Sequence, residues 1–543
     1  MSPAPGRTAL PHSSDQRSPQ LPGTAAVWPP TITNDPFSSE QRYTIRDALQ
    51  RASQPGYDSW LRHVESASGC THPIRLRGDL ATVDIHTGEV LTVTSTQTFP
   101  DGVIYKACGN RRHTVCPSCA TVYQADAYHL VRAGLVGGKT VPTSVRHHPA
   151  VFATLTAPTF GEVHTRVVRD CTCRDKSRCT CRSEPCHARH TPKTCPHGVR
   201  LVCWRRHGVG DEQLGRPLCA DCYDHAHHVV WNNQAGELWR RTKQEAERHL
   251  NKQARARGLP RVRLSHGKAA EYQARGAIHF HALLRLDGID PDTPDAITAP
   301  PGGITADDVI AAVTRAATTI AYTTDPHPTH LDGWLITWGD QHEIRPITLS
   351  ASGDALDDQA VAAYLAKYST KGTEATGHTS RRLTPDTIDL YANLHGTHPE
   401  RLIAAAWTLG KAPEWAGLRR WAHMLGFGGH FLTKARRYSI TFGSIRQERA
   451  AYRRAQALND GHPRPEGHPE TAPFQCQANL DTKTEETTLI IGFLTYAGTG
   501  WHTTGDQLLA NTAAAQARER TRAGHEELAH DAWEQSSFTP LAA

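Results

Sequence analysis

The sequence lacks an apolar segment long enough to cross a lipid bilayer. Its longest apolar run, residues 489–496, is far shorter than the roughly 18 residues that a spanning helix needs. The first ten residues, MSPAPGRTAL, also lack the apolar centre of a secretory signal peptide. We therefore expect a cytoplasmic protein with no membrane partner.

A strong excess of one charge is missing as well. The 60 Lys and Arg residues stand against 54 Asp and Glu residues, so the formal net charge is only +6. This mild basic bias permits nucleic-acid binding but does not demonstrate it. The 543 residues are 38% hydrophobic, with no collagen-like or coiled-coil period, so the composition favours a globular protein of two or more domains.

Cysteine is almost absent outside one part of the chain. Thirteen of the 14 cysteines lie between Cys70 and Cys222, and in a reducing cytoplasm such clustering favours metal binding over disulfides. Two sets have spacings close to those of four-cysteine zinc sites. The first set is Cys195, Cys203, Cys219 and Cys222, and the second is Cys70, Cys108, Cys116 and Cys119.

Five further cysteines belong to neither set. They are Cys171, Cys173, Cys179, Cys181 and Cys186. They could bind another zinc ion or form a variable loop, and their spacing leaves both interpretations open. Zinc in these regions would stabilise insertions that are too small to hold a hydrophobic core.

Hydrophobic periodicity predicts an α+β fold with an antiparallel sheet, because strands are grouped around few helices. Strands are predicted at 74–80, 91–94, 151–157, 261–273, 277–286, 333–337, 343–349, 438–442 and 488–495, and helices at 124–135, 233–257, 305–322, 357–370 and 507–533. Two short helices are also expected between residues 38 and 63, and most of the chain from 383 onward should be helical.

The motif with the most chemistry joins Glu271 to His279-Phe-His281. On a strand, two histidines two residues apart project on the same face, and the phenylalanine points to the other side. A three-residue turn ending in Gly276 would place Glu271 opposite His279. One carboxylate and two imidazoles would suit Mg²⁺ or Mn²⁺ awaiting a phosphate oxygen, although the 33 histidines make chance His-x-His pairs common.

A second motif combines tyrosine and lysine on one helical face. Tyr364, Lys367, Tyr368 and Lys371 lie at i, i+3, i+4 and i+7. By itself the pattern also fits a helix that buries two tyrosines with lysines at the rim. Beside a metal site, however, the ammonium groups would lower the pKa of a nucleophilic tyrosine, whose ionisation at pH 7 otherwise costs about 4 kcal/mol.

These motifs, in this order, resemble those of the HUH endonuclease superfamily and its rolling-circle replication initiators. The resemblance rests on Phe-Ala-Thr-Leu-Thr-Ala-Pro at 152–158, the Glu271, His279 and His281 set, and the tyrosine helix. Flanking stretches are similar to those of initiators from actinobacterial plasmids and integrative elements. These stretches are Cys-Gly-Asn-Arg-Arg at 108–112, Leu-Cys-Ala-Asp-Cys-Tyr at 218–223, Gly-Glu-Leu-Trp-Arg at 236–240 and Arg-Tyr-Ser-Ile-Thr-Phe-Gly at 437–443.

The resemblance implies a metal-dependent nickase that cuts one DNA strand at a double-strand origin. The cut would leave a 5′-phosphotyrosine and a free 3′-OH primer, and a reversal of the reaction would rejoin the strand at termination. Tyr368 matches the nucleophile and Tyr364 a second tyrosine, with Lys367 and Lys371 beside them. Whether water or Tyr364 completes termination stays open. The implied partners are origin DNA, single-stranded at the nick and duplex for recognition, together with a host helicase and polymerase.

The expected domain organisation follows from these assignments. The N-terminal part comprises a disordered tail over 1–36 and a region with a zinc-ribbon-like cysteine cluster over 37–124. An HUH nickase domain follows over 125–375, with a cysteine-rich insertion at 165–225. The C-terminal part comprises a helical basic region that could bind the origin over 376–457, a linker over 458–485, and a strand and helix over 486–543. Two other functions fit the sequence. One is an HUH transposase, and the other is a zinc-dependent DNA-binding regulator without catalytic activity.

Overall fold

The computed structural model describes residues 37–169, 181–191, 193–347, 358–376, 381–459 and 488–537. The expectations for the tail, for most of the linker and for Cys171, Cys173 and Cys179 lie outside these residues. The helices are α1 Ser39–Ala52, α2 Tyr57–Val64, α3 Pro117–Val136, α4 His225–Ala256, α5 Ala306–Thr319, α6 Asp358–Ser369, α7 His398–Leu409, α8 Ala416–Arg420, α9 Phe442–Asn459 and α10 Thr504–Ser537.

The strands confirm an α+β architecture with antiparallel pairing. They are β1 Ile74–Asp84, β2 Val90–Ser95, β3 Ile104–Lys106, β4 Ala150–Leu155, β5 Val262–Tyr272, β6 Ile278–Gly288, β7 Ala321–Thr323, β8 Leu335–Thr337, β9 His342–Pro346, β10 Leu432–Lys434 and β11 Thr488–Thr499. Every pair of named strands is antiparallel. Within the described part of the chain, no helix is both long enough and apolar enough to span a membrane.

The central sheet has five strands in the order β10-β5-β6-β4-β9. Its β6 strand is buried along nearly its whole length because helices cover both faces. Phe280 and Leu284 pack with residues of α4 and α5 on one face, whereas Leu283 packs with residues of α3 and α6 on the other. Since side chains alternate along a strand, His279 and His281 lie on the α6 face.

A second sheet joins the two ends of the described chain. Strand β1 pairs with β2 and β3 and, over its full length, with β11. The core below this sheet includes Trp60, Tyr105 and Trp501. This pairing brings residues of the expected regions 37–124 and 486–543 together, and it leaves no local signal in the sequence. The division of the chain into domains stays a prediction.

The strand predicted at 438–442 is wrong. Tyr438 lies in a turn, its backbone N–H donating to the Ala435 carbonyl at 3.1 Å, and α9 starts at Phe442. The Tyr438 hydroxyl donates to the Val131 carbonyl at 2.8 Å, so the aromatic ring is buried against α3 and does not pair in the sheet. The edge position is occupied by β10, which pairs with β5.

The C-terminal region contains α7, α8 and α9, in line with a mostly helical region, but β10 and the turn at Tyr438 lie between α8 and α9. Several of its basic side chains are engaged within the protein. The Lys434 ammonium donates to the Ser439 carbonyl at 2.8 Å. Three arginines form ion pairs, namely Arg437 with Asp295, and Arg446 and Arg449 with the buried Asp126. Much of the basic stretch therefore holds the fold together, and its origin-binding role stays a prediction.

Candidate active site and metal centres

The β5–β6 hairpin sets the geometry of the candidate active site. The Gly276 N–H donates to the Gln273 carbonyl at 2.8 Å, and Gly276 has φ +84°, a conformation that favours glycine. The turn fixes the register that pairs Glu271 with His279, as predicted. Glu271, His279 and His281 therefore project from neighbouring positions on one face of the sheet.

The three side chains converge on one point. The His279 Nε2 atom is 3.0 Å from Glu271 Oε2 and 3.1 Å from His281 Nε2, and His281 Nε2 is 3.5 Å from Glu271 Oε2. One ligand atom from each residue lies within 4.8 Å of the others. The mixed oxygen and nitrogen donors fit a divalent cation with open positions for substrate oxygens.

The electrostatics of the site keep the Glu271 carboxylate and the His281 imidazole in the protonation states that a metal requires. Burial alone would raise the pKa of Glu271, but hydrogen bonds from His279, His281 and Lys371 outweigh it and lower the pKa to about 2. Burial lowers the pKa of His281. The carboxylate is thus ionised and the His281 imidazole neutral near pH 7.

Helix α6 carries both candidate tyrosines to this hairpin. Its buried face, with Val361 and Leu365, packs in the cluster that also contains residues of α3. The Tyr364 hydroxyl is 3.4 Å from His281 Nε2, and the ring centroids of Tyr364 and Tyr368 lie 4.9 and 5.3 Å from that of His281. Both phenol rings therefore contact His281. Burial and the neighbouring Tyr368 raise the pKa of Tyr364.

The two predicted lysines have different positions. The Lys371 ammonium donates to Glu271 Oε1 at 2.8 Å and lies 4.3 Å from the centroid of the Tyr368 ring. Lys371 thus bridges the carboxylate and the tyrosine. Lys367 is exposed and belongs to none of these contacts between described residues.

Two residues of β4, Phe152 and Thr154, complete the surroundings of His281, and their motif alone indicated no individual role for either of them. Thr154 Oγ1 lies 3.2 Å from His281 Nδ1, and the Phe152 ring stacks on the imidazole at 5.9 Å. A partner on Nδ1 orients the ring so that Nε2 faces Glu271 and His279. The motif at 152–158 contains both residues and was the sequence signal for them, and the structure pairs Thr154 of β4 with His281.

The N-terminal cysteine cluster comprises Cys70, Cys108, Cys116 and Cys119, the four residues grouped by their spacing. Sγ atoms are 3.7 Å apart for Cys108 and Cys119 and 3.9 Å apart for Cys116 and Cys70. The hydrogen bond from Cys70 is the largest cause that lowers the pKa of Cys119, to about 5. Four converging sulfurs with one thiolate-prone member could hold zinc.

The second predicted four-cysteine set is divided between two clusters. Cys195, Cys219 and Cys222 gather around His197, whose Nδ1 atom is 3.2 Å from Cys222 Sγ and 3.8 Å from Cys219 Sγ. Cys203 lies elsewhere. Its backbone exchanges two hydrogen bonds with that of His187, which draws it away from Cys195. A histidine therefore takes the place that the spacing had assigned to Cys203.

Cys203 instead joins His164, Cys186 and His207 in a third cluster. His207 Nε2 is 3.6 Å from Cys203 Sγ and 3.2 Å from His164 Nδ1, and Cys186 Sγ is 3.8 Å from His164 Nδ1. The other His207 nitrogen lies 2.7 Å from a carboxylate oxygen of Asp211, the usual partner of a metal-bound imidazole. This arrangement includes Cys186, whose role the spacing left open, and fits zinc with two sulfur and two nitrogen ligands.

Comparison with known proteins gives one family and one similar relative among its findings. The family described as RepSA, replication initiator protein of pSAM2, matches residues 56–515. A replication initiator protein of Streptomyces ambofaciens is 40% identical over 478 residues, which cover 87% of this chain and 93% of the relative. No solved structure is significantly similar to the chain.

Proposed function

Because the chain belongs to the RepSA (pSAM2) family of replication initiator proteins, we propose that it starts rolling-circle replication by nicking one DNA strand at the double-strand origin of a plasmid or integrative element. The observation that carries this proposal is the contact of Tyr364 and Tyr368 with His281, beside Glu271 and His279. Covalent phosphotyrosine chemistry requires a phenol beside a site that can bind a cation.

In the proposed reaction the phenolic oxygen of Tyr368 attacks the scissile phosphorus. A bond forms between that oxygen and phosphorus, the bond from phosphorus to the 3′-oxygen breaks, and the released 3′-oxygen takes up a proton. The phenol loses its own proton during the attack. The strand is left with a 5′-phosphotyrosine and a free 3′-OH from which a polymerase can extend.

The side chains of the site contribute in distinct ways. Glu271, His279 and His281 would hold Mg²⁺ or Mn²⁺, which when bound neutralises charge on the attacked phosphate. The ammonium of Lys371, 4.3 Å from the Tyr368 ring, favours the ionised phenol. Thr154 keeps the His281 imidazole oriented.

The position of Lys371 also supports an order of attack. Tyr368 has this ammonium above its ring, whereas burial and Tyr368 raise the pKa of Tyr364. Tyr368 therefore acts first, and Tyr364 acts at strand closure. The substrate is origin DNA, single-stranded at the nick and duplex for recognition, and a host helicase and polymerase continue from the primer.

The experiment is a covalent-adduct assay with single-stranded origin DNA and Mn²⁺, resolved on a denaturing gel. We expect Tyr368→Phe to reduce initial adduct formation about 100-fold or more, and Tyr364→Phe to leave it nearly intact while it impairs rejoining. Tyr452→Phe, at a tyrosine that is 70% exposed on α9, is the matched control.

The outcomes separate the competing functions. Full adduct formation by Tyr368→Phe would reverse the order of the tyrosines. No adduct with the unaltered protein would favour the zinc-dependent DNA-binding regulator, and cleavage confined to element ends that form hairpins would favour the transposase.

A further inference from the structure

Arg111 connects the N-terminal cysteine cluster with the tyrosine helix. Its Nη1 atom donates to the backbone carbonyls of Ser369, at 3.0 Å, and Lys371, at 2.5 Å. The guanidinium carbon also lies 3.9 Å from the centroid of the Phe431 ring. A planar cation is thus held between an aromatic face and the carboxyl end of α6.

The position of Arg111 is set by the cysteines that precede it. The backbone N–H of Cys108 donates to Cys70 Sγ at 3.3 Å, and that of Asn110 donates to Cys108 Sγ at 3.4 Å. The side-chain oxygen of Asn110 then accepts from the Arg112 N–H at 2.9 Å. Because the sulfurs fix the backbone before Arg111 and the Asn110 side chain fixes it after, the cluster and Asn110 together determine where Arg111 leaves the backbone.

The carbonyls that Arg111 contacts are the ones that need a partner. The last carbonyls of a helix have no N–H donor within the helix, and the helix dipole makes this end negative. A guanidinium here therefore anchors the backbone just beyond α6. The same contact fixes the backbone position from which the Lys371 side chain extends.

The anchored lysine reaches the reacting groups directly. The Lys371 ammonium contacts the candidate ligand Glu271 at 2.8 Å and the ring of Tyr368 at 4.3 Å. The contacts form a continuous connection from the cysteine sulfurs through Arg111 and Lys371 to the nucleophile.

We propose that Arg111 is a positioning residue through which the N-terminal cysteine cluster holds Lys371 against Glu271 and Tyr368. This inference rests on the proposed nicking function. The cluster would then contribute to the reaction in addition to stabilising the loop that contains it.

Two readouts distinguish this role from general stabilisation, because they move in opposite directions. The Lys371 ammonium repels a cation bound at Glu271, so a displaced Lys371 should tighten Mn²⁺ binding. The same displacement removes the ammonium from Tyr368 and slows adduct formation. A merely structural defect would weaken both.

The experiment is a double-mutant cycle on the full chain with Arg111→Ala and Lys371→Met. Adduct formation is measured with origin DNA, and Mn²⁺ binding is measured without DNA by electron paramagnetic resonance. We expect Arg111→Ala to slow the adduct about 10-fold and to tighten Mn²⁺ binding about 3-fold. In the Lys371→Met background, the same substitution should change either quantity less than about 2-fold.

Two further variants complete the design. Arg46→Ala, at an arginine that is 68% exposed and pairs with the adjacent Asp47, should change neither readout. Arg111→Lys keeps a cation near the carbonyls but offers no planar fork, so it should recover part of the loss. It also replaces Arg111→Ala in the cycle if the alanine variant loses zinc or unfolds.

Additive effects of the two substitutions would overturn the proposal, and so would an arginine variant with unchanged adduct rate and Mn²⁺ affinity. If the unaltered protein forms no adduct, the nicking function fails, but the Mn²⁺ arm still reports whether Arg111 acts through Lys371. The two failures are therefore distinguishable.

Discussion

Among single residues, Lys268 shows how burial alters an ionisable side chain. It lies on β5, on the face opposite Glu271, with its ammonium 3.5 Å from the Phe280 ring centroid and 5.7 Å from that of Trp239. Burial in this aromatic setting lowers the pKa of Lys268 to about 7. Keeping Lys268 protonated at this position therefore lowers the stability of the folded state.

The first prediction concerns the pH dependence of stability at this residue. The pKa of Lys268 falls from 10.5 to about 7 on folding, so between those values the unfolded chain binds more protons and stability rises with pH. Lys268→Met should raise the free energy of unfolding by roughly 1–4 kcal/mol at pH 6, and the gain should shrink toward pH 10. Denaturant titrations at several pH values measure this. A gain independent of pH, or one shared by the exposed Lys411→Met, would contradict it.

The second prediction tests how the metal ligands are divided. Cys203 and Cys222 belong to different clusters in the structure, although their spacing suggested one site. Cys203→Ser and Cys222→Ser should each remove one zinc ion per chain, and the double variant should remove two, as measured by elemental analysis. Loss of only one zinc ion from the double variant would instead support the single site that the cysteine spacing suggested. His86→Ala, at an exposed histidine, should leave the zinc content unchanged.

The same residues show what could be predicted about the site. Glu271, His279 and His281 were predictable because strand alternation and a glycine turn determine which side chains face each other. The partner of Cys195 was not, because spacing identifies thiol donors but not the loop path, and His197 is one of 33 histidines. Arg111 carried no recognisable signal beyond its motif, because its role depends on a helix 258 residues further along the chain.

At the scale of elements, the contact between α3 and the turn at Tyr438 is close. The Tyr438 ring fills the space beside Gly134, where an added Cβ would lie 2.3 Å from a ring carbon. Gly267 on β5 lies on another side of the ring, where the corresponding distance is 3.1 Å. The two glycines thus make room for one buried tyrosine between a helix and the central sheet.

The third prediction is that Gly134→Ala lowers the free energy of unfolding by about 1–3 kcal/mol, because the methyl group overpacks this contact. Thermal denaturation measures the change. Gly236→Ala is the matched control, since Gly236 is exposed in the interior of α4 with no atom within 4 Å of the added methyl, and it should stabilise the helix by up to about 1 kcal/mol. Equal effects of both substitutions would argue against the packing explanation.

Helices and strands were predictable from the sequence where the local residue pattern and the tertiary packing favour the same conformation. The β5–β6 hairpin and α6 follow from alternation, turn chemistry and helical spacing. The false strand at 438–442 arose because Tyr-Ser-Ile-Thr-Phe has a composition typical of a strand, whereas burial of Tyr438 against Gly134 decided the conformation. Helix α3 begins earlier than expected, at Pro117, since proline is favoured in the first helical turn.

Across the whole molecule, Trp501 connects the C-terminal segment to the N-terminal cysteine cluster. Its ring stacks on Tyr105 at 5.2 Å, and its indole N–H donates to the Cys70 carbonyl at 2.9 Å. Both partners precede Trp501 by about 400 residues in the chain. The second sheet and the cluster are therefore parts of one structural unit.

The fourth prediction is that Trp501→Ala destabilises this unit by about 3–5 kcal/mol. Limited proteolysis should then cut first within the N-terminal strands, and zinc should leave the cluster of Cys70 at a lower chelator concentration. Phe493→Ala, at a residue that is 69% exposed on β11, is the control and should have little effect. Unchanged protease resistance of the tryptophan variant would contradict the coupling.

The pairing of β1 with β11 also has a consequence for biosynthesis. Strand β1 ends at Asp84 and its partner starts at Thr488, so at 5–20 residues per second a ribosome needs roughly 20–80 s to deliver the second strand after the first. During that interval the nascent chain exposes an unpaired edge. Because the Trp501 indole donates to the Cys70 carbonyl, the cluster beside Arg111 also reaches its final packing only after residue 501 has been synthesised.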